Sequence, residues 1–262
     1  MSSGWSPRVE IDGGEATAEQ LGVPALVNYG HFTAMQVRKG AVRGLELHMR
    51  RLRTATRELF GVDLDADRVR DHLRHALGHG VGDASARITV FQPEPGSGVS
   101  VLVALRPAVG MPAMPQAPQA VPYQRPLPHI KHVGTFGQIH YGRLAERHGF
   151  DDALLTGADG IVAEAAISNI GFLDDTGVVW PDAPALLGIT MQLLDRRLAG
   201  SGVRSRRAPV RLADLPAYAG AFVTNSRGVA PVGRIDDLAL PVGSGLLTRL
   251  SELYEGVPWE TP

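Results

Sequence analysis

The sequence predicts an α+β protein with two domains. The first 105 residues give the predicted element order β-β-α-α-β-β, prolines recur throughout residues 106–128, and the remainder alternates short strands with helices. Because dense proline favours extended backbone and cannot donate to a central sheet, the domain division is expected there. We therefore predict a small α/β sandwich at 1–106, a linker at 107–128 and a larger strand-rich domain with peripheral helices at 129–262.

The elements of the first domain follow from hydrophobic periodicity. Apolar residues at spacings of three and four predict two amphipathic helices, one from Gly44 to a stop at Gly61 and one from Asp65 to Leu77. Alternation and turn residues predict the strands Arg8–Ile11, Phe32–Arg38, Ala41–Arg43, Ala86–Phe91 and Val99–Leu105. A loop rich in Gly and Ala is expected between the first strand and Pro24.

The second domain is predicted to be richer in strands. Its predicted helices are Gly134–His148, Met191–Leu198 and Leu246–Tyr254. Its predicted strands are Ala153–Thr156, Gly160–Glu164, Ser168–Leu173, Gly177–Trp180 and Ala221–Thr224. The arginines from Arg204 to Arg207 are interpreted as a solvated face.

Composition narrows the possible functions. A net charge of -1 gives no electrostatic case for binding nucleic acid or an anionic membrane. The absence of cysteine excludes disulfides, thiolate metal sites and a cysteine nucleophile. No metal site is expected at His72, His75 and His79, because no carboxylate has matching ligand spacing. No targeting or membrane-spanning pattern is visible, so a cytoplasmic protein is expected.

Lysine is the scarce residue of this chain. Among 26 basic side chains only Lys39 and Lys131 are lysines. A lysine amine can lose its proton and form a Schiff base, whereas a guanidinium remains charged. Since Lys39 lies on a predicted hairpin turn, Lys131 is the candidate for amine chemistry.

Seven short motifs, taken in order and spacing, resemble the class IV aminotransferases, the fold-type IV pyridoxal phosphate (PLP) enzymes. These include branched-chain and D-amino-acid aminotransferases and 4-amino-4-deoxychorismate lyase. The motifs are His48-x-x-Arg51-Leu52, Ile130-Lys131, Gly149-x-Asp151-Asp152-Ala153-Leu154-Leu155, Glu164-x-x-x-Ser168-Asn169-Ile170, Leu187-Gly188-Ile189-Thr190, Thr224-Asn225-Ser226 and Pro231-Val232.

The resemblance implies a cofactor, PLP, and a role for each matching residue. Lys131 matches the lysine that forms the aldimine with PLP and relays the proton, and Glu164 matches the carboxylate that pairs with the pyridine nitrogen. Arg51 matches the arginine of the phosphate site. Four further matches are expected to contact the phosphate or cofactor: Ile189, Thr190, Thr224 and Asn225.

The region from Asn28 to Thr33 departs from the family pattern. Typical aminotransferases of this class carry Tyr-Gly-Asp-Gly-x-Phe-Glu, whereas this chain lacks the Asp-Gly pair and has Thr33 in place of the Glu. Phe32-Thr33 is closer to the deoxychorismate lyases. Because this region lines the substrate side of the pocket in the family, Tyr29, His31 and Thr33 are the candidate substrate contacts.

Three functions stay open at this level. The first is an aminotransferase that moves an amino group between an amino acid or amine and a keto acid. The second is a lyase of the 4-amino-4-deoxychorismate lyase type, and the third is a non-catalytic binding protein. The resemblance also implies small-molecule amino and keto acid substrates and a homodimer.

Overall fold

The computed structural model describes residues 8–78 and 80–262, which form two compact units. The first unit contains the described residues up to Val109, together with Ile130–Gly134 and Pro258–Pro262. The second contains Gly110–His129 and Thr135–Val257. This division differs from the linear boundaries expected from the sequence, because two short segments from later in the chain belong to the first unit.

The first unit contains a five-stranded antiparallel sheet covered by helices. The strands of this unit are β1 (Arg8–Ile11), β2 (Gly14–Glu15), β3 (Gly30–Val37), β4 (Val42–Arg43), β5 (Ala84–Phe91) and β6 (Ser100–Arg106), of which β4 lies outside this sheet. Its helices are α1 (Ala18–Val27), α2 (Leu45–Phe60) and α3 (Ala66–Leu77). The sheet order is β2-β1-β6-β5-β3, so β3 is an edge strand, and one apolar core joins α2 and α3 to this sheet.

Glycines and one aspartate set the limits of these helices. Gly44 and Gly61 flank α2 with φ angles of 69°, a conformation that glycine adopts without strain. Asp65 caps α3 by accepting the backbone N–H of Asp67. The two predicted helices and five predicted strands of this region are confirmed within one to three residues at each end.

Helix α1 corrects the expected loop before Pro24. Thr17 accepts the N–H of Gln20, and the Gln20 side chain accepts the N–H of Thr17, which makes a complete capping box. The helix buries none of its residues and contains Pro24, so it has no apolar stripe that periodicity could detect. The Thr-x-x-Gln signal was present in the sequence.

The second unit is built on two larger sheets and three helices. Its strands are β7 (Pro118–Pro122), β8 (Asp152–Thr156), β9 (Val162–Ala165), β10 (Asn169–Leu173), β11 (Gly177–Pro181), β12 (Arg204–Ala208), β13 (Gly220–Asn225), β14 (Gly228–Val232), β15 (Arg234–Ile235) and β16 (Leu238–Ala239). Its helices are α4 (Phe136–Arg147), α5 (Ile189–Ala199), α6 (Gly245–Glu255) and a 3-10 turn, Leu212–Ala217. The sheet orders are β12-β11-β10-β13-β14 and β7-β8-β9. A final strand, β17 (Trp259–Glu260), pairs with β4 in the first unit.

Five strands of the second unit were not expected from the sequence: β7, β12, β14, β15 and β16. β7 lies inside the proline-rich segment and pairs in parallel with β8, at the edge of its sheet, where prolines are tolerated. β12 contains the arginine run and pairs in parallel with β11, also at an edge. Its first four residues are exposed, so the expectation of a solvated face and the strand are compatible.

Candidate active site

Lys131 is fixed beside the edge strand of the first unit. The N–H of Phe32 donates to the Lys131 carbonyl at 2.8 Å, and the N–H of Val133 donates to the Gly30 carbonyl at 2.9 Å. These bonds attach the segment 130–134 to β3. The Lys131 Nζ lies 4.9 Å from the centroid of the Phe32 ring. Backbone hydrogen bonds therefore fix the position of Lys131 at the edge of the sheet.

Helix α2 brings a second cation to the same region. His48 is buried on α2, and its Nδ1 lies 2.6 Å from the Thr33 hydroxyl oxygen. Burial, followed by the positive charges of Arg51 and Lys131, lowers the pKa of His48 to about 3. Arg51 and Lys131 thus both lie near enough to this neutral imidazole to act on its charge.

Two of the three expected substrate contacts lie in the core of the first unit. His31 and Thr33 are completely buried on the face of β3 that meets α2. The Nε2 of His31 is 2.9 Å from the hydroxyl of Thr56, and Thr33 bonds to His48. Since successive strand residues point to opposite faces, Phe32 faces the other way. This placement differs from the expected contact with substrate, because sequence alternation does not say which face a helix covers.

Tyr29, the third expected contact, lies at the surface just before β3. Its side chain is 54% exposed, and its ring packs edge-on against Phe60 at 5.7 Å. Its hydroxyl donates to the Leu59 carbonyl at 3.4 Å. The structure thus places Lys131 and Arg51 near the same histidine, whereas two of the three expected substrate contacts are buried in the core.

Glu164 forms a buried ion pair in the second unit. It lies on β9, and its Oε1 accepts a hydrogen bond from Arg125 Nη1 at 2.8 Å. Its Oε2 accepts the N–H of Leu186 at 3.3 Å. Both side chains of the pair are less than 10% exposed. Arg125 supplies the opposite charge that a buried carboxylate needs to stay ionised.

Sequence reasoning missed Arg125. It lies in the segment interpreted as a linker, and its Nη1 also donates to the Pro128 carbonyl at 3.1 Å. One signal could have found it, because Arg125 is the only charged residue between positions 107 and 128.

The start of α5 lies beside the end of β13. Gly188 precedes this helix, and its first turn has no side-chain cap among the described residues. The Thr190 hydroxyl donates to the Asn225 carbonyl at 2.6 Å, which joins the helix start to the end of β13. The adjacent Thr224 is buried, and its hydroxyl has no hydrogen-bond partner within residues 8–78 and 80–262. Ile189, Thr190, Thr224 and Asn225, predicted as one group, are thus brought together.

Ser168 and Asn169 form hydrogen bonds that hold the surrounding loops. Asn225 Nδ2 donates to the Ser168 hydroxyl at 2.9 Å, and Asn169 Nδ2 donates to the Leu186 carbonyl at 2.7 Å. A Cβ atom at Gly188 would overlap Asn169 Oδ1, so only glycine fits there. The loop before α5 is therefore held by both Asn169 and Glu164.

The described part of the chain contains no group of three His, Asp or Glu side chains placed to hold a metal ion. Of the three histidines considered in the sequence, His79 lies outside the described residues. None of the described helices is long and apolar enough to cross a membrane.

Comparison with known proteins identifies the family. Residues 30–235 match the family model for amino-transferase class IV. The chain belongs to this family. A probable branched-chain-amino-acid aminotransferase of Rickettsia felis is 27% identical over 172 residues. That match covers 61% of this chain and 56% of the relative, so it spans little more than half of the relative's length.

Solved structures confirm the fold of this class IV chain. A hypothetical aminotransferase from Mycobacterium tuberculosis, in a PLP-bound form, has a TM-score of 0.83 and 21% identity, covering 95% of this chain and 98% of its own. A hypothetical aminotransferase from Mycobacterium tuberculosis in an alpha-ketoglutarate and PMP bound form gives the same values. A putative 4-amino-4-deoxychorismate lyase from Legionella pneumophila has a TM-score of 0.82 and 18% identity, covering 90% and 93%. The predicted two-domain α+β architecture is confirmed.

Proposed function

We propose that the protein is a PLP-dependent aminotransferase that moves an amino group between an amino acid or amine and a keto acid. The observation that carries this proposal is Lys131, held on β3 by backbone hydrogen bonds. A catalytic amine needs such a fixed position, because a flexible lysine would rarely be in reacting geometry. Family membership supplies the reaction class.

The residues present fit PLP. An aldehyde needs an amine, which Lys131 offers, and a pyridine nitrogen needs a carboxylate, which Glu164 offers. A phosphate needs donors, and the buried Thr224 hydroxyl without a described partner, together with the uncapped start of α5, would provide them. Arg51 would add a guanidinium to the phosphate. When bound, PLP supplies an electron sink for the carbanion formed at the substrate.

Each residue has a distinct task in this proposal. Lys131 takes and returns a proton at its Nζ. Glu164 stays ionised because Arg125 balances its charge, so it can hold a proton on the pyridine nitrogen. His48 is neutral, so it adds no third positive charge to those of Arg51 and Lys131.

The binding of PLP at Lys131 can be tested by an absorbance titration. We expect wild type to develop the visible band of lysine-bound PLP, and Lys131→Arg to lack it because a guanidinium cannot form the bond. Lys39→Arg is the matched control, since Lys39 is the only other lysine and lies on the β3–β4 turn. An unchanged band in Lys131→Arg would refute the assignment.

A lyase of the 4-amino-4-deoxychorismate lyase type is the second candidate, and Phe32-Thr33 is the observation that favours it. Amino transfer from a panel of amino acids to 2-oxoglutarate should be compared with pyruvate release from 4-amino-4-deoxychorismate. The proposal predicts transfer, reduced by at least about 100-fold in Lys131→Arg. Pyruvate release without transfer would instead support the lyase. The absence of both amino transfer and pyruvate release after PLP addition would favour a binding protein.

We also propose that the protein acts as a homodimer. Support comes from exposed large apolar side chains in the second unit, where Phe136 is 79%, Ile139 49% and Ile167 58% exposed. Sedimentation velocity should give a mass of two chains at micromolar concentration, and Phe136→Ser should weaken the association. A single-chain mass for wild type would contradict the proposal.

A further inference from the structure

The segment Pro258–Pro262 is bound across the first unit by contacts with two of its elements. Its strand β17 pairs antiparallel with β4, so Trp259 lies opposite Arg43. The Arg43 Cζ is 4.3 Å from the centroid of the Trp259 ring. At the other end of the segment, the Pro262 carbonyl accepts a hydrogen bond from Arg74 Nε on α3 at 3.0 Å. Contacts at both ends of the segment therefore fix its backbone.

Glu260, in the middle of this segment, completes the start of helix α2. Its Oε1 accepts the N–H of Gly44 at 3.0 Å, across a separation of 216 residues. Gly44 is the N-cap of α2, is buried, and has no side chain with which to cap the helix. In a capping box a Glu or Gln at the third helical position accepts the N-cap N–H, but that position is Leu47 here. Glu260 therefore provides, from a distant strand, the acceptor that the helix itself lacks.

Helix α2 connects this start to the candidate active site. The His48 N–H donates to the Gly44 carbonyl at 3.2 Å, which forms the first turn of the helix. Arg51 follows after about one more turn, roughly 10 Å from Gly44 along the helix axis at about 1.5 Å per residue. Because the turns of an α-helix are joined by hydrogen bonds, the orientation of the first turn sets the positions of His48 and Arg51.

We propose that Glu260 is a positioning residue for Arg51. By holding the N-cap of α2, it sets the place from which the Arg51 guanidinium reaches the phosphate of PLP. This inference rests on the proposed function, because the role of Arg51 at the phosphate belongs to that proposal. Glu260 is exposed, so solvent screens its charge, and the hydrogen bond to Gly44 carries the effect.

Equilibrium titrations of the full chain, freed of cofactor, with PLP and with pyridoxal test this inference. Pyridoxal has the same ring and aldehyde but no phosphate, so Arg51 contributes only to the binding of PLP. We expect Glu260→Ala to raise the Kd for PLP roughly three- to tenfold, part of the range for losing hydrogen bonds to a charged group, and to leave the Kd for pyridoxal within about twofold of wild type. A purely structural role in stability would raise both constants by the same factor.

Three further variants separate the hydrogen bond from the charge. Glu260→Gln keeps an oxygen that can accept the Gly44 N–H, and should bind both compounds within about twofold of wild type. Glu260→Asp keeps the charge but is one methylene shorter, so it should lose affinity for PLP alone, and it replaces the alanine variant if that variant does not fold. Glu46→Ala is the matched control, because it removes an acidic side chain from the first turn of α2 that bonds to Arg70 instead. This control should bind both compounds like wild type.

The outcomes separate this inference from the function on which it rests. If wild type takes up PLP and Glu260→Ala leaves the Kd for PLP unchanged, or raises the Kd for pyridoxal by the same factor, the inference is overturned and the proposed function stands. The same selective loss in Glu46→Ala would assign the effect to charge and would also overturn the inference. If wild type takes up no PLP, the proposed function fails and the inference falls with it.

Discussion

The two faces of strand β3 differ in a way that residue type alone does not reveal. The face toward α2 carries His31 and Thr33, side chains typical of catalytic sites, yet both are completely buried and bonded to helix residues. The opposite face carries Phe32, an apolar residue, against which Lys131 and Arg87 lie. Polar side chains thus stabilise the fold on one face, while an aromatic ring organises charged groups on the other. A shift of one residue along a strand separates the two roles.

The pH dependence of stability gives the largest expected effect of this comparison. Burial lowers the pKa of His31 to about 4, and burial followed by two positive charges lowers that of His48 to about 3. The unfolded chain, with pKa values near 6.5, binds these protons first as the pH falls. Each histidine therefore contributes stability above pH 6.5 that is lost toward acid, by about 2 kcal/mol between pH 7 and pH 5.

Urea unfolding at pH 7 and pH 5 would measure this loss. Asp152 acts in the opposite direction, because burial raises its pKa to about 6 and its folded form gains stability as it is protonated below that pH. The contribution of Asp152 is the same in His48→Gln and cancels in the comparison. From pH 7 to pH 5 the free energy of unfolding of this variant should therefore fall by about 2 kcal/mol less than that of wild type. His140→Gln, a substitution at an exposed position, should follow wild type. Equal losses in wild type and His48→Gln would show that the α2 face holds no neutral histidine.

Thr33→Val tests the stabilising role of the buried face. Valine keeps the shape but removes the hydroxyl bonded to His48 Nδ1 at 2.6 Å, which leaves a buried polar atom unsatisfied. We expect the free energy of unfolding to fall by about 1–3 kcal/mol, with kcat and KM of the folded enzyme unchanged within about twofold. Thr56→Val should lower the free energy of unfolding in the same way, because it removes the hydroxyl that is hydrogen-bonded to His31. A large change in KM without a change in stability would restore Thr33 as a substrate contact.

Phe32→Leu tests the other face and has the smallest expected effect. Leucine keeps an apolar side chain but removes the ring over which Arg87 and Lys131 lie, an interaction of about 1 kcal/mol. We expect kcat/KM for the preferred amino acid to fall roughly fivefold, in contrast to Thr33→Val. Phe32→Tyr, which keeps the ring, serves as control. Unchanged kinetics in Phe32→Leu would mean that the ring does not organise the cations.

Much of the fold could be predicted from local patterns. The stripe of α2 is a strong signal because this helix buries one face and exposes the other. Helix α1 has no buried face, and β7 is rich in proline, so neither has the periodicity that such reasoning requires. Both are ordered by other interactions, a capping box in α1 and parallel pairing with β8 in β7.

The candidate site was predictable only in part. Scarcity selected Lys131, and the resemblance selected Arg51, Glu164 and the group around Thr190. Arg125 escaped detection because its significance comes from a partner distant in sequence, since Glu164 is 39 residues from it. The roles expected of His31 and Thr33 depended on which face of β3 is covered, and that is decided by tertiary packing.

Chemical mapping of the cofactor attachment tests the central claim most directly. Borohydride reduction of the PLP-loaded protein fixes the cofactor to its lysine, and peptide mass spectrometry can locate the added mass because only Lys39 and Lys131 are candidates among the lysines. The account predicts the pyridoxyl mass on the peptide containing Lys131 and none on the peptide containing Lys39. Modification at Lys39, or no modified lysine after PLP treatment, would contradict it.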